Sequence, residues 1–286
     1  MIDLHVHSTF SDGSDTVEEI IQKANELNIN HLSITDHNRC EAFLRKNKKC
    51  LKNFKGKIIT GTEISAYFDA QVLHVLAYGF NPRPINKFLN NRRISFKDVT
   101  KEEIKLIAAA LDKLGIPYEM PDDTYNYEKQ WSIRHFHKYI CNEENCNKYF
   151  NGEKLTYNQL FWEHITNPNS PFFCDFSALR PTIIEVLTIV HKAGGKCFVA
   201  HSDIYGKHFP AKLDTLKNLG IDGLECYYPT YTPEYTEFLV KYCNDNNLYK
   251  SAGSDYHGKN REQNKLGTGQ NNNLCIDESV IKDWFN

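Results

Sequence analysis

The feature that most constrains the fold is a recurring unit: a short apolar run ending in a histidine or an acid, followed by a helical pattern. "IDLHVHS" reads as a strand. "TVEEIIQKANELNI" after it reads as a helix with Val17, Ile20, Ile21, Ala24 and Leu27 on one face. Asp15 or Thr16 is placed to cap it. "HLSITDH" is a second strand, followed by a basic helix, then "KIITGTEISAYF" and the buried strand "VLHVLAYGF". The second half resumes the pattern. Helices "IIEVLTIVHKAGG", "LDTLKNLGI" and "EYTEFLVKYCNDNN" alternate with strands "KCFVAHS", "DGLECYYP" and "LYKSAGSDYHG". The first of these helices ends at glycine, where a C-cap belongs. Such alternation predicts βα units around a parallel sheet or barrel.

Residues 81–180 break the rhythm. "TKEEIKLIAAALDKLGI" is amphipathic through Ile104, Ile107, Ala108, Leu111 and Leu114, and polar, aromatic-rich stretches follow. This segment reads as an inserted, mostly helical subdomain, a lid or substrate subdomain, with 1–80 and 181–286 forming the barrel. A chain of 286 residues can bury a large core as a single α/β barrel.

Composition narrows the partners. The net charge of −2 provides no global field for a long nucleic acid. The densest basic run, Arg45 to Lys57, reads as a solvated helix face, the alternative being local attraction of an anionic substrate. Nine scattered cysteines without a CxxC pair read as free thiols of a reducing compartment, so a cytoplasmic location is expected. "DLHVHSTFSDGSD" is too polar for a signal peptide. No apolar run approaches a membrane span.

The chemistry lies at the strand ends. Alternate residues of a strand point the same way, so His5 and His7 share a face, about 7 Å apart by strand rise. Asp12 follows closely. "SITDHN" ends with Asp36 and His37, "TGTEIS" carries Glu63, and "QVLHVLAYG" buries His74 among apolar residues. "FVAHSD" supplies His201, and "AGSDYHG" supplies Asp255 and His257. Functional residues of barrels and open α/β sheets gather at strand C-termini. Six of the twelve histidines fall in such contexts, interleaved with acids. Any one of them could be a hydrogen-bonded core residue. Together they predict a multinuclear metal site, since imidazole suits Zn, Fe and Mn while carboxylates can bridge ions.

"HVHSTFSDG", "TDHN", "GTEIS…H", "AHS" and "GSDYHG", in this order, resemble the signature series of the PHP superfamily, named for polymerase and histidinol phosphatase domains. The resemblance runs from residue 2 to about 258. It implies a distorted (β/α)7 barrel with three divalent metal ions (Mn, Fe or Zn) at the strand C-termini. His5, His7, Glu63 and Asp255 would hold the first ion. Glu63 would bridge to a second, held also by His74 and His201. Asp12, His37 and His257 would hold the third. The catalytic group would centre on Glu63, Asp255 and His201, with hydroxide formed between two ions as the nucleophile.

Histidinol-phosphate phosphatases of the superfamily often carry histidine where this chain has Asp12. "HSTFSDGS" and "TGTEISAYFDAQVLHVLAYGF" look more like its stand-alone phosphoesterases. That likeness implies a small phosphorylated substrate: a nucleoside 3′,5′-bisphosphate or the 5′ end of short RNA. An Arg-Pro-His motif common in the insertion of that branch corresponds here to "SIRHFHKYI", without the proline. This makes Arg134 and His135 candidates for a substrate phosphate. The usual proline after the AH motif is Ser202. The alternatives are histidinol-phosphate phosphatase, a non-catalytic metal-stabilised module, and C–N bond hydrolysis by the same metal centre. A complete ligand set and the absence of a polymerase region in this sequence argue against the non-catalytic module.

Overall fold

The structure, a computed structural model, describes residues 1–44, 47–92, 96–206 and 208–285. Three parallel strands, β1 (Ile2–Asp3), β2 (His31–Leu32) and β3 (Lys57–Ile58), form one sheet. A second holds β4 (Gly61–Phe68), β5 (Gln71–Tyr78), β6 (Lys196–Val199), β7 (Gly223–Tyr227) and β8 (Tyr249–Ala252), in that order.

The parallel pattern holds for β6, β7 and β8, but β5 runs antiparallel to both β4 and β6. Asp69 and Ala70 join β4 to β5 with both φ angles positive, 49° and 61°. A two-residue turn of that kind folds a strand straight back, leaving no crossover helix. "KIITGTEISAYF" accordingly splits into β3 and β4. The two sheets meet at both sides without merging into one closed barrel. The Leu4 N–H donates to the Ala252 carbonyl at 3.0 Å, Val6 bridges Tyr256, and His37 bridges Glu63. Strand ends far apart in sequence become neighbours through these links.

The helices are α1 (Val17–Glu26), α2 (Lys48–Leu51), α3 (Pro82–Asn91), α4 (Phe96–Leu114), α5 (Ser132–Ile140), α6 (Glu143–Tyr149), α7 (Tyr157–Gln159, running into a π-turn over Leu160–Ile165), α8 (Ile183–Lys192), α9 (Leu213–Leu219) and α10 (Pro233–Asp245). Thr16 caps α1 in a capping box with Glu19, and Thr182 does the same for α8 with Glu185. Asp15 instead takes the Lys23 ammonium and the Tyr256 hydroxyl, each at 2.6 Å. Between residues 79 and 195 the described chain is helix and loop, apart from one bridge of Thr182 to Tyr67.

Ile104, Ile107, Leu111, Ile133, Phe136 and Phe161 from this stretch share one buried cluster with Ile64, Val75 and Val186. The helical segment is thus packed continuously onto β4, β5 and α8. A separate inner cluster, Ile2, Leu4, Ile59, Leu76, Tyr78 and Phe198, is covered by Trp284, which stacks on Tyr78 at 5.6 Å. Within the basic run, Lys49, Lys52, Lys55 and Lys57 are exposed, while Arg45 and Lys46 lie outside the described residues. All nine cysteines are free thiols. No described helix is long and apolar enough to cross a membrane.

Candidate metal centre

The nine side chains expected as metal ligands gather in one cluster, with Glu63 at its centre. Its carboxylate is buried and faces two ways. Oε2 lies 3.2 Å from His5 Nε2, 3.3 Å from His7 Nε2 and 3.1 Å from His37 Nδ1. Oε1 lies 2.9 Å from His74 Nδ1 and 2.8 Å from His201 Nε2. Asp255 Oδ1 is 3.5 Å from His5 Nε2 and 3.2 Å from His7 Nε2. Asp12 Oδ2 is 3.1 Å from His257 Nε2 and 3.8 Å from His37 Nε2.

Three overlapping groups therefore stand close enough to share an ion each: His5, His7 and Asp255; His37, Glu63 and His74; and His7, Asp12, His37 and His257. His7 Nε2, His257 Nε2 and Asp12 Oδ1 are buried without a hydrogen-bond partner. Orphaned buried donors and acceptors are costly. Here they point into one cluster of imidazoles and carboxylates, a donor set suited to Zn, Mn or Fe. The residues present fit metal ions.

Local backbone geometry serves this convergence. His201 (φ 26°) and Asp255 (φ 52°) lie in the left-handed region, a strain found at functional sites. Gly253 and Gly13 permit close approach: a Cβ would come within 2.2 Å of His5 Cβ at the first and of the His7 carbonyl oxygen at the second. Asp36 accepts from the Ser8 N–H at 2.7 Å and the Ser11 hydroxyl at 2.8 Å, holding the turn that presents Asp12. Ser202 shows why proline is dispensable there. Its N–H donates to the Tyr231 hydroxyl at 2.6 Å, a bond proline cannot make.

Burial opposes a charge on His5, but Glu225, Glu63 and Asp255 hold its pKa well above the usual value. His7, buried against Asp255 and Glu63, is pushed up to about 9. Burial lowers His37 to about 3 and lowers His74. Burial also works against the charges of Glu63 and Asp255. The histidines around Glu63, and Arg261 foremost for Asp255, hold both well below the carboxylate range. Carboxylates thus keep His5 and His7 charged, burial keeps His37 and His74 neutral, and the surrounding cations keep Glu63 and Asp255 ionised.

Three functional candidates escape sequence reading. Glu225, fully buried, accepts from His5 Nδ1–H at 2.9 Å and from the His201 N–H at 2.8 Å. It is a lone acid in the apolar run "GLECYY", the same kind of signal that marks His74, and could have been found by it. Arg261 pairs with Asp255, and Tyr228 donates to Asp255 Oδ2 at 2.7 Å. Neither had a sequence signal.

The cluster forms the floor of a cavity of about 850 Å³. Its walls include Trp131, Arg134, Tyr157, Trp162 and Arg180 from the helical segment and its exit. Arg134 is exposed there, its guanidinium 5.6 Å over the Tyr157 ring. His135 does not line the cavity, and its Nε2 lies 2.7 Å from the Glu119 carbonyl oxygen.

Comparison with known proteins identifies the family. The PHP domain family model matches residues 3–157. A 5'-3' exoribonuclease of Haemophilus influenzae is 26% identical over 258 residues, covering 89% of each chain. A 3',5'-nucleoside bisphosphate phosphatase of Chromobacterium violaceum is 23% identical, covering 90% of this chain and 87% of its own. The fold is similar to that of a Bifidobacterium adolescentis protein assigned as a metal-dependent phosphoesterase, with a TM-score of 0.64 and 21% identity, covering 98% of this chain and 94% of the other. With more than half its length matched by the family model and the signature residues gathered at one site, the chain belongs to the PHP domain family.

Proposed function

We propose that this chain is a metal-dependent phosphoesterase that hydrolyses a phosphomonoester of a small nucleotide, such as a nucleoside 3′,5′-bisphosphate or the 5′ end of short RNA. The observation that carries this reading is the two-sided carboxylate of Glu63, enclosed by five imidazoles on the floor of a cavity with cationic and aromatic walls. The names of two relatives, one an exoribonuclease and one a nucleoside bisphosphate phosphatase, support a nucleotide or RNA phosphoester as the substrate class.

Three ions are assigned: one to His5, His7, Glu63 and Asp255, one to Glu63, His74 and His201, and one to Asp12, His37 and His257. When bound, divalent transition ions supply Lewis acidity toward a phosphoryl oxygen and lower the pKa of a water. The chain's own residues do the rest. Glu225 holds the His5 proton on Nδ1, so that Nε2 presents its lone pair to the cluster. His257 Nδ1–H donates to the Asp255 carbonyl at 2.8 Å, aiming Nε2 at Asp12. Arg261, beside Asp255, is placed to receive a phosphoryl oxygen. The helical segment acts as a lid, with Arg134 at its rim meeting a substrate phosphate. His135, turned to Glu119, is assigned no contact.

The test is phosphate release by Mn-loaded protein from a nucleoside 3′,5′-bisphosphate, a 5′-phosphorylated dinucleotide, histidinol phosphate and an aryl phosphate, each with and without chelator. Chelator-sensitive release, fastest from one of the two nucleotides, is expected. Release from none, or release indifferent to chelator, refutes the reading.

A further inference from the structure

Arg180 is the cavity's unexplained charge. It stands just ahead of α8 and is 8% exposed. Its Nη2 pairs with Glu103 of α4, which is 2% exposed and also accepts the Ser132 hydroxyl at 2.5 Å. The carboxylate is therefore fully engaged and the guanidinium is not. Arg180 Nε and Nη1 are sealed from solvent and have no hydrogen-bond partner.

Leaving two buried donors unmade is costly, and pairing with Glu103 alone does not require it. A guanidinium with one edge on a carboxylate has a second edge available, and such edges match phosphate oxygens two at a time. The Phe176 ring, 5.1 Å from the guanidinium carbon, supports the group.

Position adds to chemistry. Arg180 lines the same cavity as Glu63, His74 and Trp162. Its backbone is pinned to β4, because the Tyr67 N–H donates to the Pro181 carbonyl at 2.8 Å and Thr182 bridges Tyr67. Tyr67 lies four residues beyond Glu63 on that strand, about 13 Å by strand rise. Arg180 thus stands beyond the metal cluster along β4, whereas Arg261 sits directly on Asp255. Trp131 and Trp162 on the shared wall supply aromatic surface against which a nucleobase can stack.

We infer that Arg180 is a specificity-determining residue: its guanidinium, short of partners beside Glu103, turns into the cavity to receive a second phosphate of the substrate whose reacting phosphate meets the Glu63 cluster. This rests on the phosphoesterase reading and deepens it. The preference for a doubly phosphorylated nucleotide is assigned to a buried cation that the helical segment, through Glu103, holds ready.

The test compares wild type with Arg180→Lys and with the double variant Arg180→Met/Glu103→Gln. The double variant removes the pair together and leaves no orphaned buried charge. The Mn-loaded full chain is assayed on adenosine 3′,5′-bisphosphate and on p-nitrophenyl phosphate. Binding of the bisphosphate to metal-free protein is followed in parallel by tryptophan fluorescence, to which Trp131 and Trp162 in the cavity wall contribute alongside Trp284. In both variants kcat/KM for the bisphosphate should fall about ten- to a hundredfold further than for the aryl phosphate, and metal-free binding should weaken in step. Equal losses on the two substrates, or none, overturn the inference while the phosphoesterase reading stands. If the double variant does not fold, Arg180→Lys, which keeps the charge but loses the fork, decides alone by the same differential. If wild type hydrolyses neither substrate, the phosphoesterase reading has failed. The fluorescence titration then still decides Arg180: weaker bisphosphate binding in the variants supports its role, and equal binding refutes it.

Discussion

Glu225 lies 2.9 Å from His5 Nδ1, with neither side chain exposed to solvent. Its other oxygen accepts the His201 N–H at 2.8 Å. One carboxylate thereby orients an imidazole and clamps the backbone of a second histidine held at φ 26°. Partners of this kind set ligand tautomer and basicity. Glu225→Gln should lower metal affinity about 10- to 100-fold while preserving the fold. Chelator-competition titration of metal with circular dichroism checks this, and unchanged affinity would remove Glu225 from the site.

Glu63 faces five imidazoles through two oxygens. Glu63→Gln keeps its size and removes the charge that two ions would share. Turnover should collapse by several decades, with bound metal reduced and thermal unfolding still cooperative. Near-normal turnover would show that the reaction is centred elsewhere.

Metal-replete protein should carry two to three divalent transition ions per chain. Elemental analysis after gel filtration is the measurement. Less than one ion per chain would contradict the assignment of the clusters around His5, His37 and His257.

The protonation of His7 predicts opposite pH slopes for two quantities. Its folded pKa is raised to about 9, above an unfolded value near 6.5. Its stabilisation of the metal-free protein is complete below about 6.5 and is lost as pH rises through 9. A metal ion must expel that proton, so apparent metal affinity should rise over the same window. Melting temperatures of metal-free protein and competition titrations from pH 6.5 to 9 test both; slopes of the same sign would refute the coupling.

Arg134 lines the cavity from an exposed position over Tyr157. A charge-assisted contact of this kind is worth about 1.5–3 kcal/mol. Arg134→Ala should raise KM for a bisphosphate by one to two decades, and by much less for an aryl phosphate, which carries no second group. Equal effects on both would place Arg134 on the reacting phosphate or in the fold. No effect on either would leave it facing solvent.

The residue inventory of the site was legible in the chain because each member is conspicuous locally. His5 and His7 alternate just beyond β1, His74 interrupts an apolar run, and His201 and Asp255 follow the ends of β6 and β8. Local sequence also determined the caps of α1 and α8 and the amphipathic helix α4. Strand direction at β4 and β5 was not legible. The reversing pair is Asp69-Ala70 and carries no glycine or asparagine at a positive φ, so the usual hairpin signal is missing. The partners of Asp255, the turning of His135 toward Glu119, and the half-satisfied guanidinium of Arg180 were decided by tertiary structure alone. A residue's type limits which bonds it can make, but which bonds remain unmade depends on neighbours that only the folded chain brings within reach.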